Sequence, residues 1–275
     1  MNTSRILPAL GAGSPDVRAG LAAVCVLASV TAPAAACQET DDRPPAASKE
    51  VWEPVPPVVT PASPNAPGAP PSDAIVLFDG TDLDEWVNTR DGSPAGWRVA
   101  DGIMTVNNAT GSIETRRRFG SYQLHIEWRA PAKVTGSGQA RGNSGVFLAS
   151  PGPGNRGYEL QILDSHENET YVNGMAGSIY NQSIPLVNPS RQPGEWQTYD
   201  VVWTAPRFAA DGSLTAPARV TVLYNGVLVQ QDFEIAGETA PDGPPPYFAH
   251  GATQIKLQAH GALVAFRNIW VRELP

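Results

Sequence analysis

From Tyr122 onward the chain alternates, with Tyr122, Leu124, Ile126 and Trp128 on one side and Gln123, His125, Glu127 and Arg129 on the other. A two-residue period of this kind predicts a strand with one face on a core. Val220–Tyr224 and Val227–Val229 flank Asn225-Gly226, which predicts a hairpin closed by a type I′ turn. Trp97–Ala100 and Ile103–Val106 flank Asp101-Gly102 in the same way. Further strands are predicted at Ile75–Phe78, Ser144–Leu148, Tyr158–Leu163, Gln197–Trp203, Thr253–Ala259 and Leu263–Arg272. Helical periodicity is scarce, there is no internal repeat, and Gly, Pro, Asn and Asp break up the short runs. Two packed antiparallel sheets are the simplest architecture for such a pattern, and a single all-β domain over 73–275 accommodates it.

The first 72 residues are different in kind. Arg5 and Arg18 precede an apolar run around Leu21–Val30, and Ala34-Ala35-Ala36 follow it just before Cys37. This arrangement predicts an export signal over 1–36, because the run falls short of the roughly 20 apolar residues that a bilayer span needs. Cys25 would leave with the signal, so Cys37 would be the only thiol and no intrachain disulfide would form. A lone Cys behind small residues also suggests lipidation, with the exported chain held at a bacterial cell envelope through Cys37 or released into the periplasm. Residues 37–72 read as a semi-rigid tether, since Gln38–Ser72 carries ten prolines.

The net charge of −8 argues against nucleic acid as a partner. Arg116-Arg117-Arg118 is too short a basic run to reverse that and reads as a solvated turn. In Gln254–His260 the apolar Ile255, Leu257 and Ala259 alternate with Lys256, Gln258 and His260. Polar strand faces here are rich in Gln, Asn, His and aromatics, residue types that suit sugar hydroxyls, although a solvent-facing sheet would also alternate.

The segment Tyr158–Asp164 concentrates the candidate chemistry. Glu159 and Gln161 share a face, and Asp164 joins them if one residue bulges. The pattern E-x-Q-x-x-D is similar to the E-x-D-x-x-E strand of laminarinase-type glycoside hydrolases, where two carboxylates flank the scissile bond. Here Gln161 stands in the middle position and the last acid is the shorter Asp164, which speaks against an ordinary retaining mechanism.

A wider set of segments, Leu77-Phe78-Asp79-Gly80 with Trp86, Trp97–Ile103, Gly142–Leu148, Tyr158–Asp164, Gly177–Tyr180, Gly194–Tyr199, Leu257–Gly261 and Phe266–Ile269, spans 75–273. In content and order it resembles the 3-keto-disaccharide hydrolase family, also called domain of unknown function 1080. The resemblance implies a concanavalin A-like jelly-roll sandwich and an enzyme that cleaves glycosidic bonds in 3-keto sugars. A keto group at C3 acidifies the C2 hydrogen, so the C1 substituent can leave by elimination and water can add afterwards. That route needs a base, electropositive groups near O3, and an acid or metal at the leaving oxygen.

Glu159 or His260 would be the base, Arg267 would stabilise the oxyanion, and Asp164 would complete the catalytic set. Asn143, Gln161 and Gln258 would bind hydroxyls, while Tyr180 and Trp196 would stack on a sugar ring. No cofactor is required by this scheme, and Glu159, Asp164 and His260 are the candidate ligands if a divalent cation takes part. His125, His166 and His250 read as surface residues. The keto sugar implies a sugar 3-oxidoreductase acting upstream. The alternatives are a non-catalytic carbohydrate-binding module and a conventional glycosidase acting on unoxidised glycans.

Overall fold

The computed structural model describes residues 68–151, 154, 156–239 and 247–275. The expected signal over 1–36, Cys37 and the tether up to residue 67 lie outside these. The strands are β1 (Ile75–Phe78), β2 (Trp86–Asn88), β3 (Arg98–Ala100), β4 (Ile103–Thr105), β5 (Ile113–Thr115), β6 (Tyr122–Arg129), β7 (Ser144–Ser150), β8 (Glu159–Ile162), β9 (Gln197–Thr204), β10 (Arg207–Phe208), β11 (Leu214–Ala216), β12 (Arg219–Tyr224), β13 (Val227–Glu234), β14 (Gln254–Leu257) and β15 (Ala265–Glu273). Two short 3-10 turns, Gly138–Ala140 and Val172–Gly174, are the helical elements among the described residues.

Two antiparallel sheets form a jelly-roll sandwich, as the alternation predicts. The larger runs β13-β12-β9-β6-β15-β4-β3 with β1 also on β15, and the smaller runs β2-β5-β14-β7-β8. Strand β15 pairs β6 along one side and β4 then β1 along the other, with a bulge between Arg267 and Trp270 where Asn268 has φ 47°. Both expected tight turns occur, with Asp101, Gly102, Asn225 and Gly226 all at positive φ, as a type I′ turn requires. The sequence pattern misses β2 and β5. Each is three residues long, too short for a period to show.

The core between the sheets is unusually aromatic. Trp86, Trp128, Trp203, Tyr122, Tyr158, Tyr199 and Tyr224 are fully buried, and ring pairs such as Trp128–Tyr199 and Tyr158–Trp203 meet at centroid distances of 5.5 and 5.3 Å. Buried phenols need acceptors. Tyr199 on β9 donates across the sandwich to the Gln161 carbonyl of β8 at 2.7 Å, and Tyr122 on β6 donates to the Leu148 carbonyl of β7. The larger sheet thus holds two strands of the smaller one by their backbones rather than by their outward side chains.

Two glycines separate tight from open turns. Gly157 has φ +120°, and a Cβ there would lie 2.1 Å from the Ala149 carbonyl oxygen, whereas a Cβ at Gly226 (φ +78°) meets nothing within 4 Å. Gly157→Ala is expected to cost about 2–3 kcal/mol in denaturant unfolding and Gly226→Ala only about 1 kcal/mol. Equal losses would contradict this reading of the turn before β8.

Candidate active site

The outer face of the smaller sheet carries two cross-strand rows. Core residues Ile113, Val146, Leu160, Ile255 and Leu257 point inward, so their neighbours point out. The first row runs Val87–Glu114–Lys256–Phe147–Glu159, by direct pairing across β2, β5, β14, β7 and β8. It continues to Tyr180, whose N–H donates to the Glu159 carbonyl beyond the last strand. In the second row Gln258 donates its N–H to the Gly145 carbonyl, Gly145 pairs with Gln161, and Gln161 donates its N–H to the Ser178 carbonyl. Ile179 belongs to the core, which turns Ser178 and Tyr180 outward beside Gln161 and Glu159.

Glu159 is only 7% exposed. Burial pushes its carboxyl up to about 8, with the charge of Lys256 pulling partly the other way. Its carboxylate lies over Gly145, where a Cβ would come within 2.2 Å of Oε1. Glycine at 145 is therefore a requirement of close approach. Lys256 is fully buried, donates to the carbonyls of Gly154 and Arg156 at 2.7 and 3.0 Å, and sits 3.8 Å from the Phe147 ring centroid. Burial lowers its ammonium to about 8.

Three buried polar atoms of this face have no partner among the described residues: Gln161 Oε1, Ser178 Oγ and Gln258 Oε1. Buried orphans are rare because each forfeits its hydration, and three of the six such side-chain atoms among the described residues gather on this face. Gln161 is fixed by donating Nε2 to Gln139 Oε1 at 2.9 Å, and Asn143 donates Nδ2 to the Gln139 carbonyl at 2.8 Å. At the rim the Tyr171 and Tyr180 hydroxyls meet at 2.7 Å, with Tyr171 45% exposed.

Of the residues expected to carry chemistry, Glu159, Gln161, Gln258 and Tyr180 share this face, and Asn143 supports its end through Gln139. The other expectations need correction. Asp164 does not bulge round to Glu159, because Arg141 Nε holds its carboxylate at 2.6 Å and the His166 N–H also donates to it. His260 is exposed, makes no hydrogen bond to Glu159, and lines a cleft of about 500 Å³ with Lys133, Gly142 and the same Gln139 that accepts from Gln161. Arg267 and Trp196 lie at the outer face of the larger sheet, on the far side of the core, where Arg267 binds Glu127 at 2.6 Å and stacks on Trp196. Glu159, Asp164 and His260 therefore do not fit a shared cation, and no group of three or more His, Cys, Asp or Glu able to hold a metal forms among the described residues.

His125 is not a surface residue either. It is 4% exposed, pairs with Asp200 at 2.7 Å and stacks on Trp270. Burial opposes its charge, yet the Asp200 and Glu127 carboxylates carry it up to about 9. His250 receives the Tyr158 hydroxyl at 2.9 Å. Lys256, Phe147, Ser178 and Tyr171 are the site residues that sequence reasoning missed. The signal for Lys256 was its place between inward Ile255 and Leu257, opposite a strand that is buried along its whole length.

Residues 73–272 match the model of the 3-keto-alpha-glucoside-1,2-lyase-like domain. The chain belongs to this family. It is 50% identical to a "putative glycosyl hydrolase" from Parabacteroides distasonis of known crystal structure, with 82% of this chain and 95% of that one covered and a TM-score of 0.76. A second protein of that organism with the same description is 21% identical over 74% of this chain and 94% of its own, TM-score 0.56, and shares the fold. No curated protein matches. Membership supports a hydrolase-type activity on carbohydrate and agrees with the jelly-roll expectation drawn from the motifs.

The raised carboxyl of Glu159 has a thermodynamic consequence. A carboxyl whose folded value lies above its unfolded value near 4.5 favours the folded state below about pH 4.5, and that advantage is lost as pH rises through about 8. Glu159→Gln is expected to raise the melting temperature relative to the native chain at pH 9 and to leave it nearly unchanged at pH 4. Melting curves that shift equally at both pH values would contradict the buried-carboxyl assignment.

Proposed function

We propose that this chain is an exported enzyme that cleaves the glycosidic bond of 3-keto-glucosides by elimination followed by hydration. The observation that carries this reading is a buried carboxyl, Glu159, among unpartnered polar groups, with no second unpaired carboxylate beside it among the described residues. Asp164 is held by Arg141. Glu114 lies three strand spacings along the row, roughly 14 Å between Cα atoms, with Lys256 and Phe147 standing between the two side chains.

In this scheme the Glu159 carboxylate takes the C2 proton, the C3 carbonyl accepts the electrons as an enolate, and the C1–O bond breaks as the enolate collapses, with a solvent proton going to the leaving oxygen. Water then adds at C1 and passes its proton to solvent, and C2 is reprotonated by the Glu159 carboxyl after that carboxyl has exchanged its proton with solvent, which releases the 3-keto sugar. A base titrating near 8 is matched to neutral working conditions, since it combines basicity with a usable ionised fraction. Gln161, Gln258 and Ser178 would hold the ring hydroxyls, and Tyr171 with Tyr180 would bound one side of the sugar. The export signal and a Cys37 lipid anchor would place the enzyme in the bacterial envelope. A sugar 3-oxidoreductase must supply its substrate.

Purified protein is expected to turn over a 3-keto-glucoside and not the parent glucoside, and Glu159→Gln is expected to lower that rate at least 100-fold. Turnover of the parent alone would establish the conventional glycosidase, and turnover of neither would establish the binding module. Gly145→Ala, which displaces the carboxyl without removing it, is expected to lower kcat with the fold retained by circular dichroism.

A further inference from the structure

The two residues expected to meet sugar at Glu159 but found elsewhere, Trp196 and Arg267, belong to a second built cavity. It has a volume of about 640 Å³ on the outer face of the larger sheet and is lined by His125, Arg191, Trp196, Thr198, Asp200 and Arg267 among others. Trp196 lies against two guanidiniums, with Arg267 Cζ 4.1 Å and Arg129 Cζ 4.5 Å from the ring centroid. Arg267 is in turn fixed by Glu127 at 2.6 Å, and Arg191 donates to the Trp196 carbonyl at 2.8 Å. The indole is thus held in place before any ligand arrives.

A second chain of contacts fixes the opposite wall. His125 stacks on Trp270 at 5.3 Å and 13° and binds Asp200 Oδ1 at 2.7 Å. Asn268 donates to Glu127 Oε1 at 2.8 Å and to the Gly68 carbonyl at 2.6 Å, and Trp270 Nε1 donates to that same carbonyl at 3.0 Å. Gly68 and Ala69 thereby form part of the cavity wall. These bonds engage Asp200 Oδ1 and Glu127 but leave Asp200 Oδ2 and the Thr198 hydroxyl for a ligand, with Asp200 40% exposed.

An immobilised indole, an accessible carboxylate oxygen, a hydroxyl and guanidinium N–H groups are the complement of a sugar. The sugar C–H groups pack against the part of the half-buried indole that the two guanidiniums leave uncovered, the sugar hydroxyls donate to the carboxylate, and they accept from arginine. We infer that this cavity is a second carbohydrate-binding site for a neutral sugar, because its cations are already engaged, Arg267 by Glu127, His125 by Asp200 and Arg191 by the Trp196 carbonyl. It faces away from Glu159, across the whole sandwich, so the sugar held here is not the one cleaved. Its role is to keep the enzyme on a glycan while the opposite face works.

The test uses Glu159→Gln protein, so that no ligand is consumed, with glucose and maltose as neutral probes and glucuronate as the acidic one. The expected result is a saturable shift of the Trp196 indole N–H resonance by the neutral sugars. Thr198→Arg, which fills the cavity and keeps the Trp196 reporter, is expected to weaken binding at this site at least ten-fold, with the fold checked by circular dichroism. An unmoved Trp196 resonance, unchanged binding in a folded Thr198→Arg protein, or tighter binding of glucuronate than of glucose would overturn the proposal. The readout belongs to Trp196 alone, so it stands or falls separately from the chemistry assigned to Glu159.

Discussion

The hydrogen bond from the Tyr199 hydroxyl to the Gln161 carbonyl, 2.7 Å long and buried between the sheets, is the contact on which the candidate site depends most. It spends a backbone acceptor of β8 on the core and fixes the height and tilt of the strand from below. The side chains of Glu159 and Gln161 are then presented outward without bracing their own backbone. Tyr122 does the same for β7 through Leu148. Rigid support from a packed interior is what allows a carboxyl to be held desolvated, because an unsupported strand would shift to let water reach it. The aromatic core and the raised Glu159 are two ends of one arrangement.

How far this was legible in the chain varies by residue. Asn225-Gly226 and Asp101-Gly102 announce their hairpins because positive φ at both turn positions admits few other pairs. The alternation in β6 and β8 announces which side chains share a face, and so Glu159 with Gln161 could be read directly. What alternation cannot announce is which sheet a face belongs to. Arg267 and Trp196 follow the same polar pattern as Gln258, yet strand order places them on the other side of the core. Asp164 was misplaced because its partner, Arg141, lies 23 residues away, and a salt bridge at that separation has no local signature. Lys256 was passed over because a lysine in an alternating strand ordinarily reaches solvent. Here β7 and the carbonyls of Gly154 and Arg156 cover it.

Each outer face of the sandwich, in this account, presents one kind of polar surface. On the smaller sheet the groups are buried, unpartnered and arranged around one carboxyl, which suits chemistry. On the larger sheet the charges are already paired and brace an aromatic ring, which suits retention of a ligand without reaction. Family membership supports carbohydrate as the substrate class, while the proposed division of labour rests on the geometry of the two faces alone.

The central claim is that Glu159 removes the C2 proton. The most direct measurement is turnover of a 3-keto-glucoside in D₂O, with deuterium at C2 of the early product read by NMR and compared with substrate in buffer alone. Elimination and hydration predict one deuterium at C2 in enzyme-released product, formed at a rate that falls with Glu159→Gln. Product released at the same enzymatic rate with hydrogen retained at C2 would mean direct displacement at C1 and would contradict the account.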